Sequence, residues 1–274
     1  MRSVPSAPDL NGQGLDSVVV GGVWQSVYKA PRTVVYPSIN PGQRTWLIFF
    51  YGQSNAAGSM GGTGTSADYY TPTSTQVNQL SIYDGCVYQY QEPLPGVDGT
   101  MGCMAGRFAD KLIAANKCDR VILMCFAIGA TFASDWAVGG GMNNRIVAAA
   151  NRAKSNNILS LVNRSFICRM QGESDALSTT TNADYRASVF SEKATFVANG
   201  VTCPMYVALE TWDGGSLPSN SSTIRSAQAA VVDGVNILQG PDMDTLNNSY
   251  RWGGGTHFNN SGADAGASLW NALF

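Results

Sequence analysis

Apolar residues along this chain follow two rhythms. The runs Trp46-Leu47-Ile48-Phe49-Phe50, Val121-Ile122-Leu123-Met124-Cys125-Phe126, Ser165-Phe166-Ile167-Cys168 and Met205-Tyr206-Val207-Ala208-Leu209 are short and unbroken. Runs of that length suit strands covered on both faces, as in a parallel sheet. Leu80-Ser81-Ile82-Tyr83 is a weaker strand candidate. Between the runs, apolar positions recur at helical spacing. Phe108, Leu112 and Ile113 share one face of a helix over about 105–115, and stretches near 143–154, 183–198, 221–233 and 260–273 read as helices too. In the last, Leu269, Trp270 and Leu273 form the stripe. The alternation predicts βα units from Thr45 onward, hence an α/β domain over 45–274. Residues 1–44 are rich in Gly, Pro, Ser and Asn, with β-prone pieces at Val18-Val19-Val20 and Thr33-Val34-Val35-Tyr36. They predict an irregular leader or small β appendage. The segments 57–79 and 85–100 read as long loops, where specificity tends to lie on an α/β scaffold.

Composition narrows the function classes. Of 274 residues 44% are hydrophobic, enough for a sizeable core, while only 13% are charged, well below the ~25% of an average soluble protein. Ser, Thr, Asn and 30 glycines take the place of the charge. That surface chemistry is expected of secreted or virion-associated carbohydrate-active proteins. With 17 basic and 19 acidic residues there is no electrostatic footprint for nucleic acid. No run of 18 apolar residues predicts a membrane span, and Met1-Arg2-Ser3-Val4-Pro5-Ser6 lacks the apolar region of a secretion signal. The expected location is extracellular or virion-associated, with a homo-oligomer expected if the chain belongs to a virion. The six cysteines show neither CxxC nor zinc spacing. Cys125 and Cys168 lie inside apolar runs and read as buried thiols. No metal or cofactor is expected.

Four segments carry candidate chemistry. Gly52-Gln53-Ser54-Asn55-Ala56-Ala57-Gly58 follows the first strong strand, at the sheet edge where α/β folds bind ligands. A serine entering a helix there gains backbone N–H donors for a developing oxyanion, although an N-cap serine between turn glycines accounts for the position equally well. His257, in Gly255-Thr256-His257-Phe258-Asn259, is the only histidine in the chain. If a serine acts here at neutral pH, His257 is the base. Arg169-Met170-Gln171-Gly172-Glu173-Ser174-Asp175 leaves another strand toward the same edge. The Gln171 amide can donate to an oxyanion, and Glu173 or Asp175 could orient His257, Asp175 being better read as a helix cap. Ala127-Ile128-Gly129-Ala130-Thr131-Phe132 suits close approach near the site, with Trp136 as core.

In this order, Gly-Gln-Ser-Asn, Gln-Gly-Glu-Ser-Asp and His-Phe-Asn before a terminal helix resemble the SGNH (GDSL-like) hydrolases. The resemblance is narrowest to their sialate O-acetylesterase and acetylxylan esterase branch, and it runs from about Trp46 to Phe274. Gly129-Ala130-Thr131 with Trp136 resembles that branch's Gly-Gly-Thr and Trp segment. The resemblance implies a three-layer α/β/α flavodoxin-like fold with a central parallel sheet. It also implies removal of acyl groups, usually acetyl, from carbohydrate through an acyl-serine. Ser54 matches the nucleophile. Its N–H, a glycine of the second block and Gln171 would form the oxyanion hole, with Gly102 the chosen glycine and Gly99 and Gly106 the alternatives. Asn55, Gly129 and Thr131 would contact substrate. The family carries Asp three residues before the histidine, and Gly254 stands there in this chain. Glu173 is the first replacement; Asp242 or Asp244, reaching in from a loop expected at Gly240-Pro241-Asp242-Met243-Asp244, and a backbone carbonyl are the alternatives. The competing classes are a non-catalytic carbohydrate-binding module and a lipase or thioesterase on the same fold. A virus-tail deacetylase of host surface polysaccharide is a setting that the composition also fits.

Overall fold

The apolar runs become the centre of a seven-stranded sheet with helices on both faces. The computed structural model describes residues 17–20, 23–26, 32–37, 39, 42–62 and 68–274. Strands β1 (Ser17–Val20) and β2 (Val23–Ser26) pair antiparallel as a separate two-stranded unit. The main sheet follows from β3 (Thr45–Gly52), β4 (Val77–Leu80), β5 (Val87–Gln89) and β6 (Arg120–Cys125). It is completed by β7 (Arg164–Met170), β8 (Met205–Leu209) and β9 (Ile237–Asp242). Their spatial order is β5-β4-β6-β3-β7-β8-β9, and all pairings are parallel except β4 with β5. The helices are α1 (Met104–Ala114), α2 (Ala133–Trp136), α3 (Asn143–Ser155), α4 (Ile158–Leu161), α5 (Glu173–Ala176), α6 (Asn182–Ala198), α7 (Ser221–Ala230) and α8 (Asn260–Asn271). Among the described residues no helix is long and apolar enough to cross a membrane.

Strand β3 is buried along all its length, and its alternating side chains feed two cores. Leu47, Phe49 and Tyr51 pack with residues of α3 and α6, such as Ile146 and Phe196. Trp46, Ile48 and Phe50 pack with residues of α1 and α8, such as Phe108 and Trp270. Each such side chain contributes roughly 1.5–3 kcal/mol when fully buried. This period-two division within an unbroken apolar run is what a three-layer α/β/α fold requires.

Three expectations need adjustment. The weak strand at 80–83 is displaced, since β4 ends at Leu80 and the chain then turns. The loop expected at Gly240-Pro241-Asp242 is the end of β9, followed by a 3-10 turn over Met243–Thr245. Pro241 is tolerated because β9 is an edge strand and its missing N–H faces no neighbour. Finally, the leader is not wholly separate. Val35 N–H donates to Val87 O at 2.8 Å and Gln89 N–H to Thr33 O at 2.9 Å, so this segment extends the β5 edge. The rest of the expected leader, apart from β1 and β2, lies largely outside the described residues. All six cysteines are free thiols.

A buried ion pair ties the sheet to α6. Arg169 on β7 donates from Nε and Nη2 to Glu192 at 2.7 and 2.8 Å, and from Nη1 to the Tyr185 hydroxyl at 2.8 Å. Tyr51 on β3 donates to the same Glu192 carboxylate, and both charged side chains are 0% exposed. Removing one partner strands the other charge in the core. Glu192→Ala is therefore expected to lower unfolding free energy by roughly 3–5 kcal/mol in urea titration. An Arg169→Met, Glu192→Leu double variant, which leaves no orphan charge, should lose clearly less than the sum.

Candidate active site

Strand β3 ends where backbone crowding permits only glycine. Gly52 has φ +135°, and a Cβ there would lie 1.7 Å from the Met170 carbonyl oxygen. Gln53 N–H then bonds that carbonyl at 2.9 Å, and the chain curls through Ala56 N–H to Gln53 O and Ala57 N–H to Ser54 O. These are turns, not the helix expected after Ser54, because Gly58 at φ +77° ends the curl. Ala56 and Ala57 are fully buried, which anchors the turn and leaves Ser54 half-buried at its outer side. The Ser54 N–H has no acceptor among the described residues, an uncompensated donor of the kind that receives a ligand oxygen.

His257 arrives from the loop between β9 and α8. Its carbonyl accepts Trp252 N–H at 2.8 Å, and Asn55 braces the backbone on both sides. The Asn55 amide donates to Thr256 O and its carbonyl accepts Phe258 N–H, each at 3.3 Å. The buried Arg251 guanidinium donates to Thr256 O at 2.6 Å and also holds the Leu246 and Met243 carbonyls. Ser54 and His257 thus open into one cavity of about 530 Å³, which Asp98, Gly129, Glu173 and Asp213 also line. Burial holds the imidazole below its ordinary pKa of 6.5, Asp213 pulls it upward, and Arg251 pushes it further down.

The acids divide differently from the sequence expectation. Asp242 and Asp244 are bound to Arg225, with contacts of 2.6–2.9 Å, and Asp244 also accepts Thr211 and Trp212 N–H groups. Both are committed away from His257. Glu173 is buried and accepts the Asn55 amide at 2.7 Å, so its grip reaches the His257 loop through Asn55. Its other oxygen faces Glu210, also fully buried. Glu173 Oε2 and both Glu210 oxygens have no other partner. Two carboxyl groups in contact hydrogen-bond only if one carries a proton. Burial raises both carboxyl pKa values, and the neighbouring Glu173 raises that of Glu210 further, so the pair keeps a proton between them.

The acid beside His257 is Asp213, which the sequence motifs do not single out. It lies past the end of β8, accepts the Thr256 hydroxyl, and shares the cavity with His257. A signal for it does exist in the chain. The run at 205–209 predicts β8, and the rule that selects Ser54 and Glu173, polar residues past a strand's carboxyl end, also selects Thr211-Trp212-Asp213.

Several expected contacts lie elsewhere. Gly102 N–H is bonded to Met60 O at 2.8 Å in a reciprocal bridge, and Gly99 N–H to Ala57 O at 2.9 Å. Gly106 is inside α1 against the Tyr90 ring. Gln171 is fully buried, and its amide donates to Thr131 O at 2.6 Å and Asp175 at 3.1 Å. It is turned away from the cavity because Asp175 and the Thr131 carbonyl, both buried, need its two N–H groups. Thr131 is likewise buried against Trp136 and Ile128 O, and Asn55 is structural as described. Gly129, by contrast, lines the cavity. A Cβ on it would lie 3.7 Å from Ser54 Cβ, and its N–H points to the Asp98 carboxylate at 3.0 and 3.1 Å. Beside Ser54 the cavity edge thus carries the Ser54 N–H, which has no acceptor among the described residues, and Gly129, whose N–H is held by Asp98.

The Glu210 geometry makes a stability prediction. A folded-state pKa raised above the unfolded value means that the fold holds the extra proton, and stability falls as pH rises from the unfolded pKa toward the folded one. Glutamine mimics the protonated acid. Glu210→Gln should melt close to the parent at pH 5 and a few degrees above it at pH 8 in calorimetry.

Comparison with known proteins identifies the family of the chain. The family profile described as carbohydrate esterase, sialic acid-specific acetylesterase, matches residues 44–259. The chain belongs to that family and is a carboxylic ester hydrolase acting on carbohydrate. No curated protein matches it. Among solved structures, a protein from Arabidopsis thaliana is similar with a TM-score of 0.62 at 18% identity, covering 84% of this chain and 97% of that one. NanS is similar with a TM-score of 0.56 at 12% identity, covering 84% and 96%. A carbohydrate acetylesterase from Xanthomonas citri is similar with a TM-score of 0.51 at 16% identity, covering 82% and 54%. At these identities the structural likeness is one of fold.

Proposed function

We propose that this member of the family removes O-acetyl groups from carbohydrate through an acyl-enzyme on Ser54, with His257 as base and Asp213 as the acid behind it. The observation that carries the reading is that a serine with an unpartnered N–H and the only histidine open into one cavity. Ser54 Oγ attacks the ester carbonyl while His257 takes its proton, and the C–O bond forms as the carbonyl oxygen becomes an oxyanion. The Ser54 and Gly129 N–H groups are the donors for that oxyanion, the latter exchanging Asp98 for it. Collapse releases the sugar alkoxide, which takes the proton from His257. Water then attacks the acetyl-serine, gives its proton to His257, and acetate leaves as Ser54 regains it.

Asp213 supports this cycle by favouring the imidazolium that forms in each transition state. Glu173, the acid expected from the motif, acts at one remove by holding Asn55 and hence the Thr256–Phe258 backbone. The composition expected of a virion-borne protein makes O-acetylated host surface polysaccharide a substrate to assay.

Ser54→Ala should lower kcat on 4-nitrophenyl acetate by on the order of 10⁴-fold or more, and ordinary turnover by that variant would end the reading. The base must be neutral, so activity is lost as pH falls through the His257 pKa. That pKa is held below 6.5, so the acid limb of kcat/KM should lie below pH 6.5. Asp213→Asn removes the one upward influence, and should move the limb still lower while cutting kcat by on the order of 10²-fold or more. Glu173→Gln should leave the limb close to its parental pH, which separates the two acids.

A further inference from the structure

The family description names sialic acid, a sugar that carries a carboxylate, yet the cavity is built against negative charge. We infer that the sugar acted on here is uncharged around its acetylated position, because the cavity that holds Ser54 and His257 presents the carboxylates of Asp98 and Asp213 to the substrate and, among the described residues, no lysine or arginine. This rests on the esterase reading above and names its substrate class.

Among the described residues, the lining includes Asp98 and Asp213 and contains no lysine or arginine, while Glu173, also at its wall, is buried and held by Asn55. Asp98 is the closest control point. It is exposed, and its carboxylate meets the N–H of Gly129, the residue packed beside Ser54. A substrate carbonyl at Ser54 therefore lies within a few Å of Asp98, and any anionic substituent near the acetyl group meets that charge at close range. Nor can the nearest guanidinium compensate. Arg251 is buried, holds three backbone carbonyls and does not line the cavity, so its guanidinium is not presented to clamp a sugar carboxylate in the usual bidentate way.

The neighbouring surface has the same character. A second hollow begins two residues beyond Ala130 and one beyond Leu177, bounded by Phe132, Ser134, Thr179 and Thr180, with Asp184 and, among the described residues, no basic side chain. Phe132 is 39% exposed and Leu177 63%. Apolar faces beside hydroxyl groups match the alternating C–H and O–H surfaces of a neutral sugar. Low overall charge, 13% of residues, supplies no long-range field to override the local one.

The test compares three substrates at low ionic strength. These are 4-nitrophenyl acetate, methyl 3-O-acetyl-glucoside and the matching 3-O-acetyl-glucuronoside, with a 9-O-acetyl sialoside as a second acid. The glucoside should exceed both acids in kcat/KM by about tenfold or more, and the gap should narrow when salt is raised to about 0.5 M. Asp98→Asn should shrink the glucoside-to-glucuronoside ratio by roughly threefold or more, whatever it does to each rate. Ser54-dependent turnover of 4-nitrophenyl acetate with equal or better use of the acidic sugars overturns the inference and leaves the esterase reading intact. A ratio untouched by Asp98→Asn overturns it likewise. Absence of Ser54-dependent turnover on every substrate overturns both.

Discussion

A guanidinium in the middle of a protein must be paired, and the way Arg169 is paired organises the edge on which the site is built. Isolated in the core, that charge would be prohibitively costly. Its Nε and Nη2 close on Glu192 of α6, and an Nη1 N–H on Tyr185. Tyr185 in turn donates to the Gln171 carbonyl, and Gln228 bonds both that carbonyl and Glu210 O. The ends of β7 and β8 are thereby fastened to α6 and α7. Met170 O is fixed close to Gly52, so β3 can end only in a glycine and Ser54 leaves the sheet at one defined point.

Polar burial around the cavity follows the same logic of compensation. Glu173 and Glu210 coexist in the core because one keeps its proton, and the pair then holds Asn55, which braces the backbone on either side of His257. Asp213 and Asp98 stay half-buried or exposed, where water supports their charge. Depth thus separates acids that shape the site from acids that a substrate meets. The deep pair sets geometry, and the shallow pair sets the electrostatics of the cavity.

The fold is shared with solved structures at 12–18% identity because it depends on apolar pattern rather than on particular side chains. Any branched or aromatic residue of fitting volume serves along β3, β6 and β7. The loops past the strand ends carry no such redundancy, and there Gly254 stands where the resemblance leads one to expect an aspartate.

Unbroken apolar runs of strand length, and helical stripes such as Phe108 and Leu112, are local patterns. The four central strands and five long helices are therefore legible in the amino-acid sequence alone, as is the three-layer arrangement through the motifs. Ser54 is legible because it follows the strongest run, and His257 because the chain has no other histidine. Pairing decided the rest. Gly240 and Pro241 read as a loop until β8 offers an edge on which a strand tolerates both. Gly102 and Gln171 fit the motif, but their N–H groups are claimed by Met60, Thr131 and Asp175, which come from other parts of the chain. Asp213 meets Thr256 across 43 residues of sequence. Periodicity reports which face of an element is buried. Which loops converge at the sheet's carboxyl edge, and which donors remain free there, depends on contacts between segments that no local pattern encodes.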